Sequence, residues 1–94
     1  MNTHVHNVTD NAAASRFELA EQGETAIANY RIHEDVITIP YVQSPVALRG
    51  QGTAGRLLEG VVAHARVRKM KIVPICGYAG SWFRRHPEHN DILK

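Results

Sequence analysis

Between Arg16 and Gln43 the apolar residues recur at every second position. Phe17 and Leu19 alternate with Arg16 and Glu18, and Ala26, Ala28, Tyr30 and Ile32 stand two apart. In an extended chain that spacing collects one set of side chains on one face, so each run predicts a strand with a buried side. The segments Glu21-Gln22-Gly23-Glu24 and His33-Glu34-Asp35 separate the runs with turn-forming residues. Val36, Ile37, Thr38 and Ile39 are mostly β-branched and predict a third strand. Pro40 interrupts it: proline has no N–H for a ladder, which predicts an edge position, a splay or a bulge there.

After a loop from Ser44 to Gly52 the period changes. Ala54, Leu57, Leu58, Val61, Val62 and Ala65 are spaced as one face of a helix running from about Gly52 to Lys69, with Arg56, Glu59 and Arg66 off that face. Gly55 and Gly60 each lower helix propensity by up to about 1 kcal/mol relative to alanine. They imply close packing, close ligand approach, or simple tolerance. Lys71 to Cys76 is a short apolar run that predicts a buried strand, with Pro74 limiting its pairing. Tyr78 to His86 predicts a short helix with Ala79, Trp82 and Phe83 inward, ended by His86-Pro87 because the residue before proline avoids helical angles. The predicted order is β-β-β-α-β-α: an α+β sandwich, helices on a mostly antiparallel sheet.

With 94 residues the chain has room for a single domain, 1–94. Residues 1–13 carry no periodic pattern and are expected to be flexible. The net charge is only +2, and nothing demands nucleic acid. Basic residues do gather late, at Arg66, Arg68, Lys69, Lys71, Arg84 and Arg85, which fits either solvated helix ends or a site for a polyanion such as a nucleotide phosphate. The one cysteine, Cys76, has no partner for an internal disulfide. No apolar run is long enough for a membrane span, and Met1 to Asn11 is too polar for a signal peptide, so a cytoplasmic location is expected. His4-Val5-His6 reads as surface histidines rather than a metal pair, and Pro87 between His86 and His89 argues against a helical pair. No metal site is predicted.

The segment Leu48-Arg49-Gly50-Gln51-Gly52-Thr53-Ala54-Gly55 precedes the amphipathic helix. The first N–H groups of a helix lack intrahelical partners and carry the positive end of its dipole. Small residues let a phosphate approach them, and Thr53 adds a hydroxyl. The dinucleotide fingerprint is excluded by its glycine spacing and acidic residue. The nucleoside triphosphate loop is excluded because no Gly-Lys-Ser/Thr is present. A turn and helix start with no ligand remains the competing reading.

Arg49-x-x-Gly52-x-Ala54 resembles the R/Q-x-x-G-x-G/A signature of GNAT-type N-acetyltransferases. The helix ending His64-Ala65-Arg66, the strand Lys71-Ile72-Val73-Pro74-Ile75-Cys76 and the tail Arg84-Arg85-His86-Pro87-Glu88 extend the resemblance to the short members of that family, over about residues 17–93. The resemblance implies acetyl-coenzyme A as cosubstrate. Its pyrophosphate would lie on Arg49, Gly50, Gln51, Gly52, Thr53, Ala54 and Gly55. Its pantetheine arm would lie beside Val42, Gln43 and Cys76, where the third strand splays from the fourth. Arg85, with Arg84, Lys69 and Arg66, would be a candidate for the 3′-phosphate.

The resemblance also implies an amine acceptor, on a small molecule or on a protein lysine or N-terminus. The family's His-Thr-acidic-Val stretch stands here as Tyr41-Val42-Gln43-Ser44, so Tyr41 and Gln43 replace the residues that could act as a base. Cys76 matches a family cysteine and is either a nucleophile or a small buried residue beside the pantetheine. Tyr78 is either an acid for the coenzyme A thiolate or a packing residue. Three functions follow as alternatives: an acetyltransferase, a coenzyme A-binding module without turnover, or an interaction protein whose glycine loop is structural.

Overall fold

A computed structural model describes residues 4, 5 and 7–94, with side chains from residue 7 onward. The three runs of alternating residues are strands β3 (Arg16–Glu21), β4 (Glu24–His33) and β5 (Val36–Gln43). They are preceded by β1 (His4–Val5) and β2 (Val8–Asn11), and β6 (Lys71–Pro74) completes a six-stranded sheet in the order β1-β2-β3-β4-β5-β6. Every neighbouring pair is antiparallel except β5 with β6, which is parallel. The mixed, mostly antiparallel α+β arrangement is the one the residue pattern predicts.

The pairing of residues 8–11 differs from the expectation of a flexible N-terminal segment. Val8 is buried, and Asp10 is buried with its carboxylate bonded to Tyr30 Oη at 2.7 Å and to the Arg68 guanidinium. No local periodicity announces this strand, because it is held by residues 20 and 58 positions away. His6 and the side chain of His4 lie outside the described residues, and with them the histidine pair considered above.

Pro40 falls where the β4–β5 register slips. Asn29 faces Tyr41 but Arg31 faces Thr38, so β5 spends one extra residue there and bulges. The strand itself is internal, between β4 and β6; of the outcomes open to a strand proline, the bulge is the one realised.

Helix α1 (Thr53–Arg68) follows β5 through a short 3₁₀ turn at Val46–Leu48, and α2 (Gly77–Arg84) follows β6. The α1 stripe Leu57, Leu58, Val61, Val62 and Ala65 is fully shielded from solvent. So are the alternate residues Phe17, Leu19, Ala26, Ala28, Ile37, Ile39 and Ile72 of the sheet. One core forms between that sheet face and the helices, and Ala79, Trp82 and Phe83 of α2 join it. Among the described residues, no helix is long and apolar enough to cross a membrane.

The strand predicted over Lys71–Cys76 stops at Pro74. Only Val36–Ile39 of β5 pairs with β6, and the N–H groups of Ile75 and Cys76 both converge on the Ile39 carbonyl. Beyond that point β5 continues to Gln43 while the other chain turns into α2. The sheet therefore opens between its fifth and sixth strands.

Candidate functional site

The opening leads into a cavity of about 560 Å³ lined by Tyr41, Val42, Gln43 and Ser44 of the β5 end, Leu48, Arg49, Gly50 and Gly52 of the loop, Thr53 and Ala54 of α1, and Tyr78 of α2. Residues 37 positions apart thus meet at one place because the sheet parts where two helices begin.

The glycine loop is shaped by its backbone. Gly50 and Gly52 have φ of +80° and +79°, the left-handed region where a side chain is strained. Gly52 is the N-cap of α1 and offers no side-chain cap. Among the described residues, no group accepts a hydrogen bond from the N–H of Thr53, Ala54 or Gly55. These donors, at the positive end of the helix dipole and beside the cavity, form a site suited to an anion.

A second layer holds the loop in that shape. Glu21, at the end of β3, accepts from Thr53 Oγ1 at 2.6 Å and from Arg56 at 2.7 and 2.8 Å. Arg56 also donates to the Gln51 carbonyl at 2.9 Å. Gln51 turns away from the cavity, giving its side-chain N–H to the Ala47 carbonyl and accepting from Gln22 at 2.8 Å. The bonds from Arg56 and Thr53 hold the Glu21 carboxyl down at about 2, well below its ordinary value of 4.5. The Thr53 hydroxyl, expected to face a ligand, is instead spent on Glu21, which leaves its backbone N–H as the group beside the cavity.

Cys76 is the N-cap residue of α2 and does not line the cavity, although it packs partly buried beside Val42. Burial pushes its thiol up, but backbone N–H groups of Ala79, Val42 and Tyr78 outweigh that, and the net shift is downward. A sulfur bridging β5 and α2 in this way suits a wall of the gap and also favours the thiolate. Tyr78 and Tyr41 both line the cavity and are 39% and 50% exposed. Ser44 Oγ, in the same wall, is shielded from solvent and without a hydrogen-bond partner.

Of the residues singled out in the sequence, Tyr41, Val42, Gln43, Arg49, Gly50, Gly52, Thr53, Ala54 and Tyr78 come together in the lining. Gly55 does not line it; a Cβ there would stand 3.2 Å from Trp82 Nε1, so helix packing accounts for the glycine. Arg85 is also outside. It lies seven residues beyond Tyr78, about 10 Å along a helix, and its guanidinium donates to Ser81 Oγ. Arg66 is paired with Asp91 at 2.6 Å, Arg68 with Asp10, and Lys71 Nζ donates to the Asp91 carbonyl. Much of the late basic cluster is therefore used within the fold. Sequence reasoning missed Ser44, Leu48, Glu21 and Arg56. Glu21 lies 32 positions before Thr53, and no local spacing links them.

Away from the cavity, Glu59, Glu88 and His89 bring possible ligand atoms within 4.8 Å of one another. Arg66 Nη2 donates to His89 Nδ1 at 3.2 Å, so the neutral ring carries its proton on Nε2, facing Glu59 at 2.9 Å. The group is complete as a hydrogen-bonded cluster.

No curated protein matches the chain. Its fold is similar to the NMR solution structure of a GCN5-like N-acetyltransferase candidate from Staphylococcus aureus. The TM-score is 0.64 and the identity 23%, over 85% of this chain and 81% of that one. At that identity the likeness concerns the fold. The family model of GCN5-related N-acetyl-transferases matches residues 16–92, which takes in β3 through α2, the glycine loop and the opened sheet, and the chain belongs to that family.

Proposed function

We propose that the protein transfers an acetyl group from acetyl-coenzyme A to an amine. The observation that carries this reading is the unpartnered start of α1 facing a cavity that opens where β5 and β6 part. The pyrophosphate would bind the N–H groups from Gly50 to Ala54, with Arg49, the one charged residue of the lining, beside it. The pantetheine would run between Val42–Ser44 and Cys76, where an amide would give Ser44 Oγ the partner it lacks. Arg85 has no part in this ligand set.

Transfer needs an uncharged amine, a polarised carbonyl and a proton for the departing sulfur. Backbone N–H groups at the end of β5 are placed to polarise the thioester, and the Tyr78 hydroxyl is the candidate proton donor. Tyr41 contributes a surface rather than a base, since a phenol with an ordinary pKa near 10 stays protonated at neutral pH. Cys76 supports two routes, direct transfer and transfer through an acetylated thiol. The Cys76→Ala variant separates them: direct transfer predicts turnover within about threefold of the parent chain, and the covalent route predicts loss of about two orders of magnitude or more.

The test is a titration with acetyl-coenzyme A followed by amide NMR, together with thiol release in the presence of amines. Shifts confined to residues 50–55 and 42–44 with release of thiol support the reading. Undisturbed amides at residues 50–55 would sink it, and binding without thiol release would leave a coenzyme A-binding module.

A further inference from the structure

The lining of the cavity restricts the amine. It contains no carboxylate and no imidazole among the described residues. Glu21, which reaches the adjacent Thr53, has both oxygens engaged by Thr53 and Arg56. The first strand, which carries His4, lies at the opposite edge of the sheet from β6. An alkylamine with a pKa of about 10.4 is neutral in only about one molecule in 2,500 at pH 7. Its ammonium form has no lone pair with which to attack. A site built for such amines needs a base to take the proton or a carboxylate to hold the cation. This cavity offers neither, and its one charge is the Arg49 guanidinium, which repels an ammonium.

What the lining does offer is ring surface. Tyr41 and Tyr78 are both substantially exposed. Neither stacks on another ring among the described residues, whereas Trp82, Phe83, His86, His89, Phe17, Tyr30 and His64 all do. Two uncovered phenol faces bordering an otherwise uncharged wall favour a flat, apolar molecule.

We propose that the acceptor is a weakly basic aromatic amine, uncharged at neutral pH and held against Tyr41 and Tyr78. The proposal rests on the acetyl-coenzyme A reading above and narrows its acceptor. In the step, the nitrogen lone pair of the arylamine attacks the thioester carbonyl carbon. The C–N bond forms, the C–S bond breaks, and the electron pair leaves on sulfur. The proton released from nitrogen ends on that sulfur, through the Tyr78 hydroxyl or water. Arylamine and acetyl-coenzyme A become N-aryl acetamide and coenzyme A, with nothing oxidised or reduced. No base is required before the attack, which fits a lining that has none.

The test compares aniline, benzylamine and a short peptide with a free N-terminus, using the full chain, acetyl-coenzyme A and thiol release. Aniline and benzylamine share a ring and differ in basicity. The expected result is a kcat/KM for aniline at least about tenfold above that for benzylamine at pH 7. The aniline rate should stay level from pH 7 to 9, while the benzylamine rate climbs about tenfold per unit as its neutral fraction grows. Tyr41→Ala should raise the aniline KM severalfold with kcat retained, and Tyr41→Phe, which keeps the ring, should restore it. Preference for benzylamine or for the peptide overturns the proposal. So does an absence of aniline turnover in a chain whose amide spectrum shows acetyl-coenzyme A bound. Failure to bind acetyl-coenzyme A in that spectrum defeats the cofactor reading first, so the two failures are told apart.

Discussion

Single residues at the glycine loop answer to different constraints, although their spacing makes them look alike. Gly50 and Gly52 both require a left-handed backbone, and a residue with a Cβ costs about 1–2 kcal/mol there. At Gly50 the added carbon meets open space, while at Gly52 it stands 3.0 Å from Arg56 Nη1. Gly52→Ala is therefore expected to destabilise more than Gly50→Ala, because it also presses on the arginine that holds the loop. Urea denaturation of the two variants checks the order. Equal midpoints would show that Arg56 yields freely. Gly55 differs from both: its backbone is ordinary helix, and the neighbouring Trp82 is what excludes a side chain.

Between elements, two polar ties connect parts of the chain that share no sequence pattern. The first joins the end of β3 to the start of α1 through Glu21, Thr53 and Arg56. Glu21→Gln keeps the shape but loses the charge that Arg56 pairs with. It should weaken acetyl-coenzyme A binding by about three- to tenfold, read by titration calorimetry, and unchanged affinity would show the loop holds itself. Because the folded-state carboxyl of Glu21 titrates near 2 against an ordinary 4.5, its contribution is present above about pH 4.5 and is lost as the pH falls toward 2. Glu21→Gln should remove that part of the acid sensitivity of Tm.

The second tie joins β2, β4 and the end of α1 through Asp10, Tyr30 and Arg68. Burial and then the bond to Asp10 raise the Tyr30 hydroxyl to about 12, from an ordinary 10.0. Its contribution is complete below about pH 10 and is lost as the pH rises through 12. Tyr30→Phe should cost about 1 kcal/mol at pH 7 and flatten the alkaline fall in Tm between pH 10 and 12. A Tm profile identical to that of the parent chain would refute this.

For the whole molecule, the ligand cleft is a consequence of how the sheet ends. A 94-residue chain buries one core, and no separate lobe closes over a substrate. The cleft arises because β5 is longer than its pairing with β6, and the two helices that follow these strands bring their N-termini to the gap. A ligand spanning the β5 end, the loop and α2 would tie three parts of so small a fold together. Acetyl-coenzyme A at about 100 times its dissociation constant is expected to add roughly 2.7 kcal/mol to the unfolding free energy. Thermal denaturation with and without it provides the check, with coenzyme A lacking the acetyl group as the comparison.

The strands β3 to β5, both helices and the phosphate-facing loop were legible in the amino-acid order, because each is set by a local period or by residues such as glycine and proline that constrain their own backbone. Pro40 showed where β5 is disturbed, but only pairing with β4 turned that into a bulge inside the sheet. Three-dimensional packing alone decided the rest. Strand β2 exists because Tyr30 and Arg68 reach Asp10, and Glu21 braces the loop from across the molecule. Trp82 claims Gly55, and Asp91 claims Arg66 from the group of free cations. Those interactions connect residues more than 20 positions apart. Local sequence shows which groups are able to pair, while the choice among partners is made by the folding of one core that brings a particular few within reach.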